Sequence, residues 1–175
     1  TQDSNRAKFF EEFPGLIGKK IVLYAPTFRK KMKSHWHDIL RASKYDDIII
    51  IVKNHPGQIM GTNKKSKNIY YMDKWQTIDL IAVCDYMITD YSSIALEAAV
   101  LKKRTMFWTY DFDEYMENSG INIDLKKEMP GNMSDNIDEI MYRIENDIFD
   151  EEQQEQYIEE YLPAEMGKST ERIAG

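Results

Sequence analysis

Four short polar segments of this 175-residue chain each follow a run of β-branched or aromatic residues. They are residues 26–29 (PTFR), 53–55 (KNH), 90–93 (DYSS) and 109–115 (TYDFDEY). Together they hold an arginine, a lysine, a histidine, two threonines and two serines. Arg29 has the forked guanidinium that suits a pyrophosphate, and a histidine donates protons near neutral pH. This set of side chains predicts a site for a phosphorylated ligand.

The DYSS segment predicts a phosphate cradle at the start of a helix. A helix that begins at Ser92 or Ser93 leaves backbone N–H groups unpaired, and these attract anions together with the two hydroxyls. Such a turn holds a phosphate without glycines. Asp and Ser also cap helices in proteins that bind nothing there, so the motif alone leaves simple N-capping open.

His55 is the candidate catalytic residue. Pro56 favours an extended conformation for the residue before it, which directs the histidine toward a crevice. As an imidazolium or a neutral N–H donor it would stabilise charge on a leaving phosphate. The alternative is a structural histidine bonded to a loop carbonyl. His35 and His37 are two residues apart in a predicted helix, so they do not share a face and predict packing residues, not metal ligands.

Two further groups are candidate ligand contacts. Glu97 lies one helical turn beyond Ser93, where its carboxylate would accept hydrogen bonds from ribose hydroxyls or would simply face solvent. Tyr110, Asp111 and Tyr115 follow a strand and form either a loop that clasps the ligand or an aromatic lid over the sheet.

The elements that must position these residues alternate along the chain. Helical spacing occupies residues 34–44, 74–84 and 92–103, between β-branched runs at 19–25, 47–53, 68–72, 85–89 and 104–110. The run Ile48–Val52 is apolar without alternation, as in a parallel strand that is covered on both faces. The pattern predicts an α/β fold, a Rossmann-like parallel sheet flanked by helices. Ligands bind beyond the carboxyl ends of such strands, so the polar segments are expected to meet at one edge.

The domain division follows from charge and periodicity. We expect a lead-in helix at residues 1–15, a Rossmann-like ligand-binding domain at 16–133 and acidic helices at 134–175 that pack on it. The last segment has 13 Asp or Glu and 3 Lys or Arg, a net charge of −10, whereas the rest of the chain carries +3. One amphipathic helix is predicted after Ser134, with Ile137, Ile140, Met141 and Ile144 on one side, and another at 150–161.

Composition excludes several classes of protein. The single cysteine excludes a disulfide framework, and no apolar run is long enough for a membrane span or resembles a signal-peptide core. The sequence therefore predicts a soluble, cytoplasmic protein. The total charge of −7 disfavours a nucleic-acid partner. The basic clusters at 29–33 and 64–67 fit a small anionic ligand, or are solvated loop charges.

Five segments occur in the order and spacing of a known family. They are YAPTFR (24–29), KNHP (53–56), TDYSS (89–93), YDFDEY (110–115) and PG (130–131). Over residues 16–145 the chain resembles the CDP-glycerol glycerophosphotransferases, the teichoic-acid primases and polymerases of Gram-positive bacteria. The resemblance implies the C-terminal, donor-binding half of a two-lobed GT-B architecture. The family's HG-containing segment, which carries a proposed base, has no match here, so we expect a fragment that is inactive alone.

The resemblance also implies roles for individual residues. Arg29, His55, Ser92 and Ser93 would contact the donor pyrophosphate, and Asp90 and Glu97 would shape the turn and the ribose site. The other expected substrate contacts are Thr27, Lys53, Thr89, Tyr110 and Asp111. The chain departs from the family pattern at Ser119–Gly120, where an Arg-Gly pair is usual, and at Glu97, where many members have Asp.

The implied reaction moves a polyol phosphate from a CDP-linked donor to an acceptor hydroxyl in cell-wall polymer synthesis. The nucleotide-activated donor is the expected small-molecule partner, with no cofactor and no metal. The lipid-linked or polymeric acceptor would be bound through the other lobe, peripherally on the cytoplasmic membrane face. Two alternatives stay open: a GT-B glycosyltransferase or nucleotide-sugar epimerase lobe that uses a UDP-sugar, and a non-catalytic nucleotide-binding or docking module with the acidic tail as its surface.

Overall fold

The computed structural model describes residues 2–27, 36–53, 66–72, 74–118 and 124–162. The strands are β1 (Lys20–Tyr24), β2 (Ile48–Val52), β3 (Ile69–Tyr71), β4 (Tyr86–Thr89), β5 (Arg104–Trp108) and β6 (Met133–Ser134). The α-helices are α1 (Gln2–Glu12), α2 (Thr77–Val83), α3 (Ile94–Val100), α4 (Phe112–Asn118), α5 (Leu125–Glu128), α6 (Ile137–Glu145) and α7 (Glu151–Tyr161). Short 3₁₀ helices cover Pro14–Leu16, Trp36–Lys44 and Pro130–Asn132.

The six strands form one parallel sheet in the order β3-β2-β1-β4-β5-β6. This is the strand order of Rossmann folds, and the direction of winding reverses between β1 and β4. The predicted fold class is therefore confirmed: a Rossmann-like sheet flanked by helices, of the kind that forms one half of a GT-B architecture. The two-residue strand β6, which pairs with the end of β5, was not predicted.

Side chains of the central strands alternate between two apolar layers. In β1, Ile21 and Leu23 face the layer formed by α1, α2, α3 and α7, whereas Val22 and Tyr24 face the 3₁₀ helix Trp36–Lys44 and α6. Every residue of β2 is buried, as its uninterrupted apolar run predicted. Because both faces of the sheet are covered, ligands have access at the ends of the strands.

The tail helices begin at specific caps. The Asn136 side chain accepts a hydrogen bond from the Asp138 N–H at 2.9 Å and begins α6, and Asp150 does the same for α7 through the Gln153 N–H at 3.0 Å. The four aliphatic residues predicted for one side of α6 are all buried. Across the described part of the chain, no helix combines the length and apolarity that a bilayer span needs. The division into segments at residues 15 and 133 stays a prediction.

Candidate functional site

The carboxyl ends of β1 and β4 are tied together at the point where the winding reverses. Asp90, directly after β4, is 3% exposed, and its Oδ1 accepts a hydrogen bond from the Thr27 backbone N–H at 2.8 Å. The Thr27 hydroxyl donates to the same oxygen, and the Tyr91 N–H donates to it at 2.8 Å. Asp90 thereby ties the residue Thr27 after β1 to the turn after β4 at this reversal of winding, the switch point of the sheet.

Thr89 adds a second connection between the same strands. Its hydroxyl donates to the Ala25 carbonyl at 2.8 Å, and the Ala25 N–H donates to the Ile88 carbonyl at 3.0 Å. Thr89 is 1% exposed. Its hydroxyl is therefore engaged in joining the two strand ends, and the substrate contact predicted for it stays a prediction.

The serine turn, residues 92–93, precedes α3. The Ser92 hydroxyl accepts a hydrogen bond from the Ile94 N–H at 3.3 Å, and the carbonyls of Ser92 and Ser93 accept the N–H groups of Ala95 and Leu96. Ser93 is exposed and makes no side-chain capping bond. Capping thus falls to Ser92, and the Ser93 hydroxyl faces solvent beside the switch point.

Glu97 lies on the same short helix. Its side chain is exposed, as is that of Ser93 four residues earlier, so the two share the solvent side of α3. This position is open to a ligand at the rim. The ribose contact expected for Glu97 stays a prediction.

Tyr91 joins the serine turn to the loop after β5. Its ring stacks on Tyr115 with centroids 4.0 Å apart and contacts Phe112 edge-on at 6.1 Å. Its hydroxyl donates to Asp111 at 3.1 Å. Both interpretations of the Tyr110–Tyr115 loop had left Tyr91 out. The sequence feature that would have indicated the role of Tyr91 is a tyrosine in the turn after one strand with a second tyrosine in the loop after the neighbouring strand.

Lys53 lies at the end of β2 and links it to the next segment along the sheet. Its ammonium donates to the Trp75 carbonyl at 2.7 Å and to the Met72 carbonyl at 3.4 Å. Its backbone N–H donates to the Tyr24 carbonyl. These bonds assign Lys53 a role in holding three strand ends together, beside any contact with substrate.

Two cavities flank Tyr110 at the carboxyl ends of β5 and β6. One of about 470 Å³ extends toward α4 and Lys126, and one of about 410 Å³ extends toward Arg41. Tyr110 and Asp135 line both, and the Tyr110 ring packs on Trp108 at 4.8 Å. The cavities lie next to the switch-point rim, and together they offer space for more than a phosphate group.

Acidic side chains line the first of these cavities, together with the Ser134 hydroxyl. Ser134 donates to Glu139 at 2.5 Å, and this hydrogen bond is the main cause that lowers the pKa of the Glu139 carboxyl. Arg143 also pairs with Glu139, so this carboxylate is held ionised at the edge of the site.

Two predicted site residues lie outside the described part of the chain. They are Arg29 and His55, and the predicted packing residue His35 and the Ser119–Gly120 pair also lie outside it. The structure therefore brings together Thr27, Thr89, Asp90, the serine turn, Tyr91 and Asp111 at the carboxyl ends of the strands, with Lys53 at the end of β2, which neighbours β1. The pyrophosphate contacts expected for Arg29 and His55 stay predictions.

This fold and this arrangement of strand-end loops define a Rossmann-like domain of the kind that forms one half of a GT-B architecture. The chain belongs to the CDP-glycerol:poly(glycerophosphate) glycerophosphotransferase family, whose family model matches residues 2–175.

Named relatives agree with this assignment. The teichoic acid poly(ribitol-phosphate) polymerase of Bacillus spizizenii is 29% identical over 96% of this chain and 29% of its own length. The teichoic acid glycerol-phosphate primase of Bacillus subtilis is 33% identical over 65% of this chain and 32% of its own length. The chain thus spans about a third of the length of these relatives.

A solved structure of the wall teichoic acid polymerase TagF has the same fold. A TagF variant soaked with CDPG superposes with a TM-score of 0.71 at 21% identity, over 97% of this chain and 43% of that chain. The fold prediction made from the strand and helix pattern is thereby supported by an independent protein.

Proposed function

We propose that this chain binds the nucleotide-activated donor of a polyol-phosphate transferase, CDP-glycerol or a related CDP-linked polyol, for teichoic-acid-like polymer synthesis. The observation that carries the proposal is the Asp90 network, which joins Thr27, after β1, to the turn after β4 at the switch point. Ligands of open parallel sheets bind at this place. Membership of the glycerophosphotransferase family gives the ligand its chemical class.

In the proposed reaction the acceptor hydroxyl attacks the β-phosphorus of the donor in line. The bond from that phosphorus to the bridging oxygen breaks, CMP leaves with the electron pair, and the acceptor proton passes to a base. Phosphoryl transfer of this type depends on positioning and on stabilisation of the charge that develops on oxygen. No covalent enzyme intermediate is required.

Each residue has a role in this proposal. Arg29, His55 and the serine turn bind the pyrophosphate, and His55 stabilises the charge on the leaving CMP. Asp90 positions the turn, since its accessible surface is small and its oxygen is engaged with backbone and hydroxyl donors. Glu97, Tyr110 and Asp111 contact the nucleoside or the polyol.

In this proposal the acceptor is bound by the rest of the enzyme. The chain matches about a third of the length of its relatives. In this proposal the base and the lipid-linked or polymeric acceptor are held by the parts of the enzyme that the chain does not cover. We place the complete enzyme peripherally on the cytoplasmic face of the membrane, where a lipid-linked acceptor is available.

Calorimetry on the 175-residue chain tests donor binding. We expect CDP-glycerol or CDP-ribitol to bind more tightly than CMP, and UDP-N-acetylglucosamine not to bind. His55→Ala is expected to weaken binding without lowering the melting temperature, and His37→Ala serves as the matched control. Preference for the UDP-sugar would favour a glycosyltransferase or epimerase lobe. Absence of nucleotide binding would favour a docking module.

Product analysis in the longer enzyme tests the reaction itself. We expect CMP as the released nucleotide, and His55→Ala to lower the transfer rate far more than it lowers stability. Release of a nucleoside diphosphate would contradict attack at phosphorus, and an unchanged rate would remove His55 from the site.

A further inference from the structure

A basic pocket of about 670 Å³ lies at the amino edge of the sheet, on the side opposite the candidate donor site. Its cationic lining residues are Arg6, Lys19, Lys20, Lys102, Lys103 and Arg104. Two carboxylates, Asp85 and Asp147, share the lining. Six cations in one recess are notable in a chain whose net charge is −7.

Sheet topology brings these cations together. Residues 19–20 (KK) and 102–104 (KKR) are far apart in sequence, but each run leads into a strand that pairs with β4. Because β1 and β5 are parallel to β4, both runs fall at the same edge. Arg6 of α1 completes the group and is anchored there by a hydrogen bond to the Val83 carbonyl at 2.5 Å.

Four of the six cations are neutralised by carboxylates. The pairs are Arg6–Asp85 at 3.2 Å, Lys19–Asp47 at 2.5 Å, Lys20–Asp147 at 2.8 Å and Arg104–Glu151 at 2.6 Å. Lys103 instead donates to the carbonyls of Ala82 and Cys84 at 2.9 and 3.0 Å. Within the described ranges, neither Lys102 nor Lys103 forms an ion pair. The pocket therefore keeps an excess of two positive charges.

Lys102 occupies a backbone position that favours glycine. Its φ is +52°, in the left-handed region, where it closes the end of α3 through its N–H bond to Ala99 and the Lys103 N–H bond to Ala98, both at 2.9 Å. A glycine would end the helix there without strain. The end of the helix therefore does not account for the lysine, whose side chain lines the pocket.

We propose that the basic pocket binds a phosphate group, either as free phosphate or as the headgroup phosphate of an anionic phospholipid. The excess of two charges equals the charge of a phosphate dianion, and Lys102 has no described partner that an anion must displace. The strands are four to five residues long, so the pocket lies roughly 15 Å from the donor site. The pocket is a separate site, so the test of phosphate binding does not depend on the proposed function.

Titration of the 175-residue chain with inorganic phosphate, at constant ionic strength against chloride, tests the site. We expect saturable binding and a rise in melting temperature. Lys102→Gly removes one charge and the backbone strain together, so it should keep or raise the melting temperature without phosphate. The same variant should weaken phosphate binding about fivefold or more, the order expected for one lost charge contact.

Two further variants sharpen the test. Lys8→Gln removes an exposed charge of α1 outside the pocket and should leave phosphate binding unchanged. Asp147→Asn removes a carboxylate that competes for the same cations, and should tighten phosphate binding. Unsaturable binding, or equal weakening by Lys102→Gly and Lys8→Gln, would overturn the proposal.

Vesicle sedimentation separates the two sources of phosphate. Binding to vesicles that contain phosphatidylglycerol, absent with pure phosphatidylcholine and lost in Lys102→Gly, would assign the site to lipid headgroups. Saturable binding of inorganic phosphate without vesicle binding would assign it to free phosphate. Vesicle binding that Lys102→Gly leaves unchanged, with no binding of inorganic phosphate, would exclude the pocket.

Discussion

Thr27 and Asp90, which follow the neighbouring strands β1 and β4, are joined by two hydrogen bonds to one carboxylate oxygen. The backbone N–H of Thr27 supplies one bond at 2.8 Å and its hydroxyl supplies the other. Since Asp90 is 3% exposed, water does not replace these donors easily. The relationship sets the geometry of the switch point before any ligand arrives.

Asp90→Ala is expected to destabilise the chain by about 2–3 kcal/mol, because three donors lose a charged acceptor in a buried setting. Thr27→Val removes only the hydroxyl bond and should cost about 1–2 kcal/mol. Urea unfolding measures both. If Asp90→Ala unfolds at the same urea concentration as the original chain, the Asp90 hydrogen bonds do not contribute to the stability of the fold. Nucleotide affinity, measured on Thr27→Val, reports whether the geometry of the turn matters for binding.

Much of the sheet could be predicted because a strand that is buried on both faces has an uninterrupted run of apolar residues. The run Ile48–Val52 has no polar interruption, and the structure buries all of it. Strand β6 has two residues and no such run. Residues 34–44 were predicted as a helix, and the structure forms a 3₁₀ helix over Trp36–Lys44. Apolar spacing of three residues suits both helix types, so periodicity does not separate them.

The proximity of the described candidate residues could be predicted, but the hydrogen bonds between them could not. Parallel topology alone brings Thr27, Asp90 and the serine turn to one edge. Which donor meets which acceptor depends on distances across strands, which the sequence does not contain. The sequence did not indicate that the Lys53 ammonium bonds the carbonyls of Trp75 and Met72, and its expected contact with substrate stays a prediction. Tyr91 was overlooked because its partners come from a different loop.

Tyr91→Phe should weaken donor binding while leaving the fold intact. The ring can still stack on Tyr115, but the bond to Asp111 is lost, so the loop after β5 is held less firmly over the serine turn. We expect a loss of about threefold to tenfold in affinity for a CDP-linked donor. Tyr142→Phe on the exposed side of α6 is the control. Equal affinities in the two variants would contradict a positioning role.

Stability is expected to fall in acid through the carboxylates that hold the tail. Hydrogen bonds from Lys20 and Lys44 are the main causes that lower the pKa values of Asp147 and Asp138, respectively, below the ordinary 3.8. Because the unfolded chain then binds more protons, this stability is present above about pH 4 and is lost as pH falls through the lowered pKa values.

Urea midpoints measured between pH 6 and pH 3 test this effect. Asp147→Asn should flatten the lower part of the profile, since the protonation of that carboxyl no longer differs between the folded and unfolded chains. Glu155→Gln, on the exposed side of α7, should leave the shape unchanged. A profile that is the same for all three chains would show that Asp147 does not contribute to the loss of stability in acid.

Cys84 is expected to resist thiol reagents as long as the chain is folded. The residue is fully buried at the end of α2, and burial is the main cause that raises the pKa of its thiol to about 12. Thiolate is the reactive form, and at pH 8 almost none is present in the folded state. Since this is the chain's single cysteine, release of chromophore from a disulfide reagent should follow global unfolding. Rapid labelling in the absence of denaturant would instead show that the α2 end opens locally, close to the basic pocket.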